Sequence, residues 1–247
     1  MVRKFFKKSR QPGHIVEEKE RIGRLSQIRE LVFGAQDGLL VPLGVVSSVA
    51  GAFLNNHIVI IAGISEALAG AFSMATGAFL ASQAERQVHI AEIRKAKKAI
   101  QEFPEDEYKE LILMFEKEGL ARAAAETVVE KIAASPKSFL TTMVQKELGI
   151  EPEPPGTPLK DGLYVGLSYL VAAVIPVFPY FFIPAEQALF YSIFMTLVAL
   201  FVIGMLKARV ASLPLIKSGC QVLLIGALSG IGGYLLGTFL PHILGIK

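Results

Sequence analysis

Residues 31–53 read LVFGAQDGLLVPLGVVSSVAGAF, with a single charge, Asp37, in the whole stretch. A hydrocarbon core of about 30 Å takes about 20 apolar helical residues to cross. Lipid offers no partner for backbone polar groups, so only helices and closed barrels span it. This run is too long and too continuously apolar for a barrel strand, so it reads as a transmembrane helix. Working outward, four more runs behave alike. Residues 58–81 carry one charge, Glu66, and residues 163–183, 188–206 and 220–244 carry none.

The composition agrees. Of 247 residues, 52% are hydrophobic and 19% charged, against about 25% charge in soluble domains. The single cysteine, Cys220, excludes a disulfide framework and a cysteine-based zinc site. A net charge of +3 gives no argument for nucleic acid. A Ser/His/Asp set, a phosphate-binding glycine loop and an HExxH pair are all missing. The chain therefore reads as a non-enzyme without a bound cofactor, and a nucleotide-driven pump is excluded.

Lys and Arg set the expected orientation. Nine fall in residues 1–30, twelve in residues 82–160, and Lys207, Arg209 and Lys217 between spans 4 and 5. The loops at 54–57 and 184–187 hold none. In a five-span chain all the basic regions lie on one side, which puts the N-terminus in the cytoplasm and the C-terminus outside. No cleavable signal is visible, since Met1–Gly13 is basic without an apolar core. That points to a prokaryotic cell membrane, or to a vacuolar membrane if the chain is eukaryotic.

The organisation follows: a basic cytoplasmic segment (1–30), two spans (31–81), a cytoplasmic helical domain (82–160) and three spans (161–247). The fold class is an all-α integral membrane protein with five transmembrane helices and a helical domain inserted between spans 2 and 3. Span 2 continues as helix to Glu102, because Ser82–Glu102 has no Gly or Pro. Further helices are expected at Glu105–Glu118, closed by Gly119, and at Ala121–Ala134. A fourth starts at Ser135-Pro136 and runs to about Leu148, stopped by Gly149. A Pro-rich linker, Glu151–Pro158, leads back to the membrane.

A carboxylate inside a bilayer marks a functional site by default. No Lys or Arg inside any span can neutralise Asp37 or Glu66. At 100° per residue Asp37, Val41, Gly44 and Ser48 share a face, with Pro42 freeing a backbone carbonyl. Glu66, Gly70, Ser73 and Gly77 share another, flanked by Met74. A thioether is a soft ligand that favours transition metals over Mg²⁺ or Ca²⁺. Carboxylates and a thioether on such faces suggest a divalent-metal path. In the helical domain Glu85, His89 and Glu92 share a face, and so do Glu107 with Glu110 and Met143 with Glu147; Glu102 lies nearby. A solvated face held by ion pairs explains the first set equally well. The glycines of span 5, Gly219, Gly226, Gly230, Gly233 and Gly237, form one stripe and read as close helix packing. Pro176 and Pro179 should kink or end span 3.

Arg29-Glu-Leu-Val-Phe-Gly-Ala-Gln-Asp-Gly-Leu-Leu-Val-Pro42 resembles the first-span signature of the vacuolar iron transporter family. Glu66-Ala-Leu-Ala-Gly-Ala-Phe-Ser-Met-Ala-Thr-Gly77 resembles its second-span signature. Phe103–Leu111, Thr142–Gly149 and Ile175–Tyr180 match as well, so the resemblance runs from about Arg24 to the C-terminus. It implies a five-span homodimer in a lipid membrane that moves Fe²⁺, and often Mn²⁺, out of the cytoplasm against protons. It assigns Asp37, Glu66 and Met74 to a path between the two first spans. It assigns Glu107, Glu110, Met143 and Glu147 to a metal-collecting cytoplasmic domain, with Glu85, His89, Glu92 and Glu102 as weaker candidates. Two departures stand out: Ala96 and Ala99 replace glutamates usual on the extension of span 2, and Val144 replaces the second Met. Without the resemblance, a partner-binding membrane scaffold, an intramembrane enzyme or a carrier of another divalent metal would fit the same residues.

Overall fold

The computed structural model describes residues 14–151, 156–210 and 212–244. The basic segment at 1–13 and the middle of the Pro-rich linker, 152–155, lie outside the described residues. Eight α-helices appear: α1 (His14–Ala52), α2 (Asn56–Glu102), α3 (Pro104–Lys117), α4 (Arg122–Ala133), α5 (Pro136–Glu147), α6 (Pro158–Val177), α7 (Ala185–Val210) and α8 (Leu215–Leu244). No strand occurs among the described residues. Within α1, α2, α6, α7 and α8 lie the five stretches long and apolar enough to cross a membrane. The helices match the expected spans closely. The first span, expected at 31–53, is found at Gln27–Ala52, and the helix that carries it, α1, extends back to His14. The first four turns of α1 are dense in charge, with Ile15, Ile22, Leu25 and Ile28 at helical spacing between the charges.

The chain forms two compact units, Met1–Phe79 with Leu159–Lys247, and Leu80–Pro158. In the first, α1 is the central post, with Leu39, Leu43 and Val46 fully buried. Val46 and Ala50 pack with Val59 of α2, Val177 of α6 and Ala185 and Ala188 of α7. Leu39 packs with Ala172 of α6, Leu200 of α7 and Val222 of α8. The outward faces are apolar too: Val171 and Phe190 are 72% and 71% exposed. So continuous an apolar surface would aggregate in water and is ordinary against lipid.

Small residues let the helices touch backbone to backbone, which is how packing is gained in lipid without a hydrophobic drive. A Cβ on Gly38 of α1 would sit 2.8 Å from the Cα of Tyr169 on α6. On α8 the glycine stripe serves two neighbours in succession. Gly219 lies against Phe201 and Gly226 against Leu200, both on α7, while Gly233 lies against Gly44 and Gly237 against Ser48, both on α1. The packing role expected of the stripe is what these contacts show.

α6 ends as its prolines require. Pro176 sits in its last turn, and a 3-10 turn follows at Phe178–Phe181. The carbonyls left over find a donor across the bundle: the Asn56 amide donates to Tyr180 O (2.6 Å) and Ile183 O (2.7 Å).

The second unit holds α3, α4 and α5 around Leu111, Ile112, Ala125, Val129, Phe139 and Met143, with Ile100 of α2 packed against them. Ser135 caps α5 by accepting the Ser138 N–H at 3.3 Å, and Pro136 follows at the first helical position. Gly119 and Gly149 take φ of +99° and +66°, the left-handed conformation that stops a helix and that glycine adopts without strain.

Candidate functional site

Tyr169 organises the membrane unit. It is 1% exposed and its hydroxyl donates a hydrogen bond to Glu66 Oε1. Asp37 stands on α1 one residue before Gly38, which abuts the Tyr169 backbone. Met74 packs against the cluster of Ala67, Ala71, Tyr169 and Ala173. Glu66 and Met74 are thus gathered around one buried phenol on α6, and the α1 backbone next to Asp37 packs against the same residue.

Local structure explains the gathering. Gly38 brings the α1 backbone onto Tyr169 one residue beyond Asp37, and Gly70 leaves room for the Tyr169 hydroxyl beside Glu66. Pro42 has no N–H, so the Gly38 carbonyl lacks its usual helical donor. Glu66 Oε2 is buried with no hydrogen-bond partner in the structure. Among the described residues neither Asp37 nor Glu66 takes part in an ion pair. The expected faces separate in detail. Glu66 and Gly70 look inward at Tyr169, whereas Ser73 and Gly77 are exposed and Gly77 has open space before it. Val41, Gly44 and Ser48 line a shallow groove shared with Ser229, Gly232 and Gly233 of α8.

In the second unit Glu107 and Glu110 of α3 and Glu147 of α5 come close enough for their charges to interact. Partial burial, then the charges of Glu147, Glu110 and Asp106, raise the Glu107 carboxyl above its ordinary range. Partial burial, then the charge of Glu110, raises Glu147. None of the three has an ion pair among the described residues. The adjacent Lys146 instead pairs with Glu118 and lies 4.8 Å over the Phe115 ring. Met143 is fully buried in the core of this unit, and so is Val144.

The other candidates are engaged or apart. His89 is buried with Nε2 against the Glu151 carbonyl oxygen at 2.5 Å. Glu92 pairs with Lys95 (2.7 Å), Glu102 with Lys98 (3.5 Å), and Glu85 is exposed. Among the described residues of one chain, no three His, Cys, Asp or Glu side chains converge to hold a metal ion.

A family model described as "VIT family" matches residues 28–238. The chain belongs to the VIT family. Vacuolar iron transporter 1 of Tulipa gesneriana is 34% identical over 208 residues, 84% of each chain. Vacuolar iron transporter 1 of Arabidopsis thaliana is 30% identical over 216 residues, 87% of this chain and 86% of that one. The vacuolar iron transporter of Plasmodium falciparum is 29% identical over 225 residues, 87% and 82%. Together with the five apolar helices, this makes the VIT family chain an integral membrane protein. Tyr169 is the site residue that sequence reasoning missed. A signal was there: a phenol in an otherwise uncharged span needs a partner for its hydroxyl.

Proposed function

We propose that this protein carries Fe²⁺ or Mn²⁺ out of the cytoplasm in exchange for protons. The path runs between the first spans of two copies, with the N-terminus in the cytoplasm and the C-terminus outside. One observation carries the reading: two carboxylates, Asp37 and Glu66, lie in apolar spans that both pack on Tyr169, and among the described residues neither has a cation beside it. An unpaired carboxylate in lipid is costly, and a passing cation or a proton relieves the cost. Asp37 and Met74 supply oxygen and sulfur, a donor set suited to divalent transition metals. Glu66 binds metal when ionised and releases it when protonated, so one group couples the two fluxes. Tyr169 holds one Glu66 oxygen and leaves the other open. A second copy, which doubles Asp37 between the two first spans, completes the coordination. The relatives' names, vacuolar iron transporters, support iron as cargo.

The carboxylates of Glu107, Glu110 and Glu147 collect metal on the cytoplasmic side. Their mutual repulsion favours a divalent cation among them. Met143 is fully buried in the core and takes no part in binding, and Glu85, His89, Glu92 and Glu102 are secondary ligands at most.

The test is metal uptake into proteoliposomes, with and without a proton gradient. Wild type should show gradient-dependent Fe²⁺ or Mn²⁺ flux, and Asp37→Ala should fold normally and show none. Normal flux by Asp37→Ala would sink the assignment. No flux from well-folded wild type would favour a scaffold.

A further inference from the structure

A groove of about 700 Å³ opens between α1, α6 and α7, away from the Tyr169 hydroxyl. Leu31 and Ala35 of α1, Leu167 and Val171 of α6, and Ile203 and Leu206 of α7 line it. Its lining is apolar apart from Ser168 of α6 and Arg209, which stands at one end in the last turn of α7. Next to it a smaller pocket of about 330 Å³ shares Ile28, Val32 and Val210 and carries Lys207 together with Arg29, which pairs with Glu30. Among the described residues neither Lys207 nor Arg209 is in an ion pair.

The dimensions are those of a lipid chain. From Leu167 to Ile175 the lining helix advances about 12 Å at 1.5 Å per residue. One leaflet's hydrocarbon is about 15 Å deep. We propose that this groove is a binding site for an anionic glycerophospholipid. One acyl chain lies along α6 and α7, and the phosphate is held by Arg209 and Lys207. A basic rim above an apolar cleft between spans is the combination that selects acidic headgroups. Ala35 and Ser168 of the lining stand within two residues of Asp37 and Tyr169, so the bound lipid braces the back of the helices that carry them. The proposal stands whether or not the protein carries metal.

The probe is phosphatidylglycerol, compared with phosphatidylcholine of the same acyl chains. Purified full-length protein is titrated in detergent, and bound lipid is counted by native mass spectrometry. Phosphatidylglycerol should be retained preferentially. Each cation removed should weaken it about fivefold, so Lys207→Gln with Arg209→Gln should lose about 25-fold. Val171→Trp, at an exposed position, should fill the groove and release the lipid with both cations in place. Equal retention of the two lipids would overturn the proposal. So would a preference that survives the double substitution, because the charge would then lie elsewhere. Unchanged retention by Val171→Trp, with or without a fall in oligomer mass, would also overturn it, a fall meaning that a second copy covers the groove.

Discussion

Tyr169→Phe tests the centre of the membrane unit. The substitution keeps the ring, which is 1% exposed, and so creates no cavity. It deletes only the hydroxyl that donates to Glu66. Two magnitudes bracket the effect. Hydrogen bonds between membrane helices average about 0.6 kcal/mol in double-mutant cycles, with a maximum near 1.7. Hydrogen bonds to charged groups are worth about 1.5–3 kcal/mol. The second Glu66 oxygen already lacks a partner, so loss of the first leaves the carboxyl without one, and the effect belongs near 1.5 kcal/mol, where the ranges meet. The assay is reversible unfolding in mixed micelles of wild type, Tyr169→Phe, Glu66→Ala and the double variant. The coupling energy should be about 1–2 kcal/mol. Independent sites add to within about 0.3–0.5 kcal/mol. A coupling inside that scatter would refute the claim that the phenol holds the carboxylate.

Gly38→Ala should destabilise by at least the 1–3 kcal/mol typical of overpacking, because its Cβ meets backbone that cannot swing aside. Gly77→Ala, with nothing near it, should be neutral or stabilising by up to about 1 kcal/mol through helix propensity; equal melting temperatures for the two would contradict the packing described. The acidic patch makes a pH prediction. Glu107 and Glu147 are raised in the folded state, so that state binds protons more tightly than the unfolded one. Stability of α3–α5 should therefore rise as pH falls from 7 through the raised values and level off below the ordinary glutamate range. Hydrogen-exchange protection of α3 and α5 in the full chain reads this out. Glu147→Gln should increase protection at pH 7 and have little effect near pH 4, and the reverse ordering would show that the patch is not self-repelling.

Much of this was legible in the sequence because lipid imposes a length. Five long apolar runs with at most one charge each could only be helices, and Gly119, Gly149 and Ser135-Pro136 punctuated the rest where the structure has its ends and cap. What escaped was tertiary. Tyr169 and Glu66 are 103 residues apart, and nothing along the chain pairs them. The start of α1 is dense in charge, and the sparse Ile15, Ile22, Leu25 and Ile28 were its only helical signal. Met143 and Glu147 stand one helical turn apart and read as one face, yet the edge of the core falls between them, burying the first and exposing the second. The stripe on α8 told which face packs, but not that it changes partner from α7 to α1 along its length.

That change of partner has a mechanical consequence. α1 is gripped through Gly38 by α6 and through Gly44 and Ser48 by α8, in each case backbone on backbone. Contacts of this kind have no rotamers through which to yield, so a slide of α1 by one turn, about 5.4 Å, would have to break them all at once. The helix that bears Asp37 is thus a stator: its carboxylate keeps a fixed address in the bundle, and whatever moves past it must do the moving.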